Sequence, residues 1–334
     1  MKTPVGIIGF RGYSGAELAA ILSRHPHVEP VLLEHREAGD GPDPIVRSGP
    51  RRIPYSPDVV RSAGLAAVCL ATPAGVSMEL ASALLAAGAK VIDLSGAFRL
   101  GTVEDYERWY KERHTQPGLL AEAAYGLPEF CRSRIPSARL IANPGCYPTA
   151  ANLALRPLVD AGAIVRESGI VCDAKSGASG AGRSPTLKTS FCEVAGNLSA
   201  YSILEHRHVP EILRTSGLDE GELSFTAQLL PLDRGILETI YFRAKAVRSA
   251  QDLLDIYQNR YAAEPFVRIY PSGQVPDLRA VVRTNFCDIG VRYDPPTGRA
   301  VVVAAIDNLG KGAAGQAAQN LNLALGYVET AGLL

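Results

Sequence analysis

The sequence has no charge imbalance, no long apolar run and no paired cysteines. Across 334 residues, 34 Lys and Arg offset 34 Asp and Glu, so the formal net charge is zero. A surface built for nucleic acid or an anionic membrane carries a basic excess, and none is present; any anion must be met by a local cluster. No apolar stretch reaches the ~18 residues a membrane helix needs. The opening Met1–Phe10 reads as a short apolar strand after one Lys, without the basic region, long apolar segment and cleavage site of a secretory signal. The expectation is a soluble, cytoplasmic protein with neither nucleic-acid nor membrane partners. Cys69, Cys131, Cys146, Cys172, Cys192 and Cys287 form no CxxC pair and stand near no His at zinc-finger spacing. In such a chain the default is free thiols, so the question is whether one of them differs.

The composition is otherwise that of an ordinary globular protein, 47% hydrophobic and 20% charged, and the length suits two domains. Residues 5–10 read as a buried strand, about Ser14–Ser23 as a helix with Leu18, Ile21 and Leu22 on one face, and 28–34 as a second strand. Such a βαβ unit implies parallel strands and a right-handed crossover. A strand at 65–71, a helix at Ser77–Ala87 and a strand at Lys90–Leu94 continue the alternation, which predicts an α/β fold with a Rossmann-type doubly wound parallel sheet. The segment 39–57, rich in Gly, Pro and Arg, reads as an exposed loop. Near residue 146 the pattern changes. A helix from about Thr149 to Asp160 is followed by strand-like runs at 169–174, 223–230, 236–246, 266–270 and 299–306, with one helix near 250–262. This predicts a second, α+β domain, and a last helix at about 311–326 that returns to the first. The expected division is 1–147 with 311–334, and 148–310.

Gly6, Gly9, Gly12 and Gly15 recur every three residues after the first strand. This is not the GxGxxG fingerprint but occupies its place, where glycines let the backbone approach a pyrophosphate and a helix start supplies N–H donors. Tyr13 and Ser14 add side-chain donors; a tight turn holding no ligand is the bland alternative. The second strand ends Leu33-Glu34-His35-Arg36. An acid there suits the ribose hydroxyls of NAD and an Arg suits the 2′-phosphate of NADP, and spacing alone does not choose.

In Asn143-Pro144-Gly145-Cys146-Tyr147-Pro148-Thr149 a strand ends, a turn follows and Pro148 opens a helix. Cys146 therefore stands at a strand-to-helix junction, among N–H groups that favour thiolate. A nucleophilic thiol needs a base distant in sequence and close in space. With six histidines in the chain, Glu205-His206-Arg207-His208-Val209-Pro210-Glu211 offers the candidates. A solvated turn is the alternative; a metal is not expected, since no third ligand cluster accompanies His-x-His. Two loops rich in Gly and Ser each end in Arg: Ser95-Gly96-Ala97-Phe98-Arg99 and Ser176-Gly177-Ala178-Ser179-Gly180-Ala181-Gly182-Arg183. They fit an anionic substrate carrying phosphate and carboxylate.

Together these blocks, with Gly9 to Leu18, Tyr125-Gly126-Leu127-Pro128-Glu129 and Asp307-Asn308-Leu309-Gly310-Lys311-Gly312, resemble the N-acetyl-gamma-glutamyl-phosphate reductases of arginine biosynthesis nearly end to end. The resemblance implies a Rossmann domain, an α+β catalytic and dimerisation domain, and a homodimer or homotetramer. It implies NADP as cofactor, bound by Gly9, Gly12, Tyr13, Ser14, Gly15, Arg36, Ser176, Gly177 and Asn308. Cys146 would be the nucleophile and His208 its base, with His206, Arg99, Ser95, Ser179, Arg183 and Glu211 on a small acyl-phosphate substrate. A related branch that reduces carrier-protein-linked aminoadipyl phosphate in lysine biosynthesis carries Asn-Ala-Thr after its cysteine, where this chain has Tyr147-Pro148-Thr149. Aspartyl-phosphate reduction is a second alternative, disfavoured by the doubled histidine, and a non-catalytic nicotinamide-binding regulator a third.

Overall fold

The computed structural model describes residues 2–35 and 49–334. They form two compact units, Met1–Pro144 with Ala313–Leu334, and Gly145–Gly312. The breaks differ slightly from the expected ones: Gly145, Cys146 and Tyr147 belong to the second unit, as do Lys311 and Gly312. The cause is that the helix beginning at Cys146 packs on strands and helices of that unit.

In the first unit seven strands, β1 (Thr3–Ile8), β2 (Val28–Glu34), β3 (Arg51–Pro54), β4 (Ala67–Leu70), β5 (Lys90–Asp93), β6 (Ala124–Tyr125) and β7 (Leu140–Ala142), form one sheet in the order β3-β2-β1-β4-β5-β7-β6. Every pairing is parallel. Helices α1 (Tyr13–Ser23), α2 (Pro57–Ser62), α3 (Ala74–Ala86), α4 (Val103–Tyr110), α5 (Pro117–Glu122) and α6 (Pro128–Cys131) connect them. Successive strand residues point to opposite faces. Ile8, Val68, Leu70 and Val91 therefore pack with Leu80 and Leu84 of α3, while Val5, Ile7, Cys69 and Ile92 pack with Leu18 and Leu22 of α1 and with Leu321 of the C-terminal helix Gly315–Ala324. A sheet covered on both sides explains why its strands read as continuous apolar runs. The chain reverses strand order between β1 and β4, which opens a crevice at their carboxyl ends.

Of the expected loop 39–57, residues up to 48 lie outside those described; Arg51–Pro54 is edge strand β3 and Pro57 starts α2. Strand β3 has only Ile53 as an apolar aliphatic residue, so its pairing with β2 through backbone groups left no hydrophobic signal.

The second unit is a mixed sheet in the order β12-β13-β14-β11-β8-β10-β9. Its strands are β8 (Ile170–Gly177), β9 (Ser199–Tyr201), β10 (Leu223–Leu230), β11 (Ile236–Arg243), β12 (Val267–Ile269), β13 (Cys287–Asp294) and β14 (Arg299–Ile306), with helices α7 (Cys146–Asp160), α8 (Phe191–Val194), α9 (Val209–Ser216) and α10 (Ala250–Tyr261). The α/β architecture with a second α+β domain is therefore present. Strand β13 was not anticipated because two Asp and an Arg interrupt it; Asp288 is fully buried and is satisfied by Arg268 at 2.6 and 2.8 Å. Helix α7 is largely buried and packs on β11, β13 and β14. Pro157 lies inside it and lacks the N–H that would bond the Leu153 carbonyl. The Tyr261 hydroxyl supplies that bond at 2.6 Å, and the Tyr257 hydroxyl donates to the Ala154 carbonyl. Among the described residues no helix is long and apolar enough to cross a membrane.

Candidate active site

Helix α7 starts at Cys146 itself, two residues before Pro148. The first-turn N–H groups have no partner four residues back, so Pro is tolerated at the third position as well as the first. Gly145 is the N-cap and offers no side-chain cap, and no acidic residue occupies the first turn. The half-buried Cys146 therefore heads a helix whose own N-cap and first turn supply neither a capping side chain nor an acid.

Helix α9 brings the histidines to this end. Its first-turn Glu211, buried, accepts the Gly145 N–H at 2.7 Å. At its last residue, the Ser216 hydroxyl donates to the Asn152 side chain of α7 at 2.6 Å. Docked at two points, α9 places His206 and His208 against Tyr147, with ring centroids 5.5 and 6.0 Å apart respectively. Tyr201 of β9 and Phe225 of β10 complete an aromatic box, and the Tyr147 and Tyr201 hydroxyls are 3.1 Å apart. The Cys146 sulfur lies near enough to act electrostatically on both tyrosines, whose phenols burial already holds neutral.

The two histidines are not equivalent. Burial, helped by the Arg207 charge, pulls the His206 pKa down to about 4. Its Nδ1 accepts the His208 backbone N–H at 3.2 Å, so the neutral ring carries its proton on Nε2.

A third support reaches Cys146 from the segment after β14. Asp307 is fully buried, pairs with Arg234 at 3.0 Å and accepts the backbone N–H groups of Leu309, Gly310 and Arg283. The segment so held runs Gly312 against Cys146: a Cβ there would stand 2.8 Å from the Cys146 Cβ. Beside it Asn308 donates to the Ser179 hydroxyl at 2.9 Å and accepts the Gly235 N–H at 2.7 Å. A Cβ on Gly180 would meet the Ser176 hydroxyl at 2.9 Å. Ser176, Gly177, Ser179 and Asn308 are thus one patch, while Arg183 is exposed further along the same loop.

In the first unit, Gly9 turns at φ +85°, and a Cβ on it would stand 2.2 Å from the Ala71 carbonyl oxygen. A Cβ on Gly15 would meet the Gly9 carbonyl oxygen at 2.3 Å. Gly12 is the N-cap of α1 without a side-chain cap, which leaves the N–H groups of Tyr13, Ser14 and Gly15 to the turn's open side. The turn fits a pyrophosphate for the same reason it excludes side chains. Beside it Gly9, Arg11, Leu33, Glu34, Thr72 and Pro73 line a cleft of about 170 Å³ at the β1/β4 crevice. Arg36 lies outside the described residues.

Two of the expected substrate contacts have structural partners within the first unit. Arg99, buried, donates to the Asn143 carbonyl at 2.8 Å and the Leu94 carbonyl at 2.9 Å. Ser95 is tied through its N–H and hydroxyl to Asp93, whose carboxyl is pushed up by burial. Glu211 likewise spends an oxygen on Gly145. Sequence reasoning missed Tyr201, Arg234, Asp307 and Gly312. Asp307 and Gly312 belong to a block noticed only for its resemblance, and nothing local marks Gly312 as a neighbour of Cys146. Among the described residues no group of three or more His, Cys, Asp or Glu is arranged to hold a metal ion.

Comparison with known proteins adds to this geometry. Residues 4–138 match the NAD-binding domain of semialdehyde dehydrogenases and 146–308 their dimerisation domain. The N-acetyl-gamma-glutamyl-phosphate reductase of Symbiobacterium thermophilum is 47% identical, covering 100% of this chain and 98% of its own. That of Shouchella clausii is 48% identical, covering 98% and 97%. Among solved structures, aspartate semialdehyde dehydrogenase II of Vibrio cholerae superposes with a TM-score of 0.72 over 97% of this chain and 99% of that one, at 18% identity. The Candida albicans aspartate semialdehyde dehydrogenase with NADP gives 0.67 over 97% and 98%, at 14%. Identities this low establish a shared fold and nothing finer.

Proposed function

Because the chain belongs to the N-acetyl-gamma-glutamyl-phosphate reductase family, we propose that it reduces N-acetyl-L-glutamyl 5-phosphate to N-acetyl-L-glutamate 5-semialdehyde and phosphate with NADPH, a step of arginine biosynthesis. The observation that carries the reading is Cys146 as first residue of α7, whose next residue, Tyr147, packs against a histidine pair docked by that helix's own partner α9.

His208 takes the Cys146 proton, and the thiolate attacks the acyl carbon. The carbon–oxygen bond to phosphate breaks, and phosphate leaves with the proton held by His208. Cys146 now carries the acyl group as a thioester. NADPH, when bound, supplies a hydride to that carbon. The oxyanion that results is held by N–H groups at the start of α7. Its collapse breaks the carbon–sulfur bond, releases the aldehyde and returns thiolate, which a solvent proton resets. The base role goes to His208 because His206 is a poor proton acceptor at neutral pH, with its Nδ1 already occupied. His206 offers Nε2–H to a substrate oxygen. Ser179 and Arg183 are assigned to the substrate's anionic groups. Arg99, Ser95 and Glu211 act by holding the loops that carry the site.

For NADPH, Gly9, Gly12, Tyr13, Ser14 and Gly15 form the pyrophosphate turn, Arg36 is assigned to the 2′-phosphate, and Ser176, Gly177 and Asn308 to the nicotinamide half. The dimerisation-domain match supports an oligomer, which we take to be a homodimer or homotetramer. Six free cysteines suit a reducing, cytoplasmic setting.

The test is the reverse reaction, semialdehyde with phosphate and NADP+, followed by absorbance. Cys146→Ser should lower turnover by roughly 1,000-fold or more while calorimetric NADP+ binding persists. Near-normal turnover in that variant sinks the covalent route.

A further inference from the structure

Glu34 ends β2, where a carboxylate ordinarily accepts the ribose hydroxyls of NAD and repels a 2′-phosphate. A carboxylate there is at odds with NADPH unless something cancels it. Arg11, in the turn between β1 and α1, reaches across with its Nη2 3.2 Å from the Glu34 Oε1. Both side chains keep about a third of their surface exposed, so the pair stands at the lip of the cleft and not beneath it. The Arg11 guanidinium lies over the Phe10 ring at 5.0 Å, and Arg52 of β3 lies over the same ring at 5.5 Å. Two cations therefore lie over Phe10, and one of them is paired with the acid that ends β2.

We propose that Arg11 sets the cofactor preference: its guanidinium binds the 2′-phosphate directly, and its ion pair with Glu34 cancels the charge that would repel that phosphate. The inference rests on the NADPH reading above and deepens it. A guanidinium carries five N–H donors in a planar fork, enough to serve a carboxylate and a phosphate together. Its stacking on Phe10 restricts the side chain before any ligand arrives, which lowers the ordering cost of binding. An ordinary surface ion pair has none of these consequences and contributes little. The two readings therefore separate by experiment.

Calorimetry on the full chain, with adenosine 2′,5′-bisphosphate and adenosine 5′-monophosphate as probes, isolates the adenosine half from catalysis. The wild type should prefer the bisphosphate. Arg11→Ala should weaken the bisphosphate about 10- to 100-fold and leave the monophosphate within about threefold. Glu34→Gln should weaken only the monophosphate. The double variant Arg11→Ala/Glu34→Gln should remain weak for the bisphosphate, because a contact and not only a mask has been lost. An unchanged probe ratio in Arg11→Ala overturns the proposal, as does wild-type bisphosphate affinity in the double variant. A wild type without preference for the bisphosphate overturns the NADPH reading itself, whatever the variants do. Thermal unfolding of each variant checks that the fold is intact.

Discussion

Replacing Gly312 by Ala puts one methyl group against Cys146, the proposed nucleophile. Its carbon would stand 2.8 Å from the Cys146 Cβ, 3.3 Å from the Cys146 Cα and 3.1 Å from the Asp307 carbonyl oxygen. Carbon contacts settle near 3.5–4.0 Å, so the methyl needs roughly 1 Å of room. Neither neighbour yields easily. Cys146 heads a helix of 15 residues, most of them buried, and the N–H before it is held by Glu211. Asp307 is fixed by Arg234 and three backbone N–H groups. Overpacking of this kind costs about 1–3 kcal/mol, and a displacement of about 1 Å at a reacting group costs on the order of 100-fold in rate. We therefore expect Gly312→Ala to lower kcat about 10- to 100-fold, with peptide-resolved iodoacetamide labelling of Cys146 altered in parallel. Gly75→Ala is the control, since a Cβ there meets nothing within 4 Å. A Gly312→Ala enzyme with wild-type kcat and wild-type Cys146 labelling would refute the claim that this glycine holds the thiol in place.

Three further outcomes follow from the same structure. His208→Asn should act mainly on kcat and His206→Asn mainly on KM; because the His206 pKa is lowered to about 4, the acid limb of the wild-type rate profile should persist in His206→Gln, and its disappearance there would reverse the assignment. Burial holds the fully buried Glu238 protonated well above the usual carboxylate range, whereas the unfolded chain ionises it at the ordinary value. The folded state thus binds the extra proton, and stability declines as pH rises past that ordinary value. Urea unfolding at about pH 5 and 8 should show the wild type losing on the order of 1–3 kcal/mol more than Glu238→Gln; equal losses would contradict this. Tyr261→Phe removes the donor on the Leu153 carbonyl that Pro157 leaves without its helical partner, and should cost about 1–3 kcal/mol in the same assay, while Tyr293→Phe, whose bond is to the half-buried Val247 carbonyl, should cost less.

The Rossmann half was legible because local signals agreed there: apolar runs, helical spacing at Leu18, Ile21 and Leu22, and glycines at a strand end. Cys146 was legible as a helix-start thiol, though the helix begins two residues before Pro148. Strand β13 was hidden because Asp288 is charged in sequence and becomes acceptable in a core through Arg268, which lies on β12, and the Tyr270 hydroxyl just after it. Glu211 is a substrate contact only as the resemblance implies; that it closes on the Gly145 N–H is a tertiary fact with no local trace. Arg11 read as one letter of a glycine turn, and its partner Glu34 as one of two competing cofactor signals. Their pairing changes the meaning of both.

The helix start does not by itself account for a nucleophile. A helix terminus is worth about 0.3–1 kcal/mol to an anion, less than a tenfold change in thiolate fraction. The remainder must come from a proton acceptor fixed beside the sulfur. His206 is a weak one, because burial and Arg207 hold it neutral and its Nδ1 is engaged by the next histidine's own backbone. That engagement has a use: it fixes the turn from His206 to His208, the residue before α9, so the backbone carrying the second imidazole is held by the first. The position of α9 then decides where both rings lie, and α9 is held to α7 at its first turn by Glu211 and at its last by Ser216. Under the proposed roles, reactivity at Cys146 is in this sense a property of two docked helices, and Glu211 is the group that keeps base and nucleophile in register.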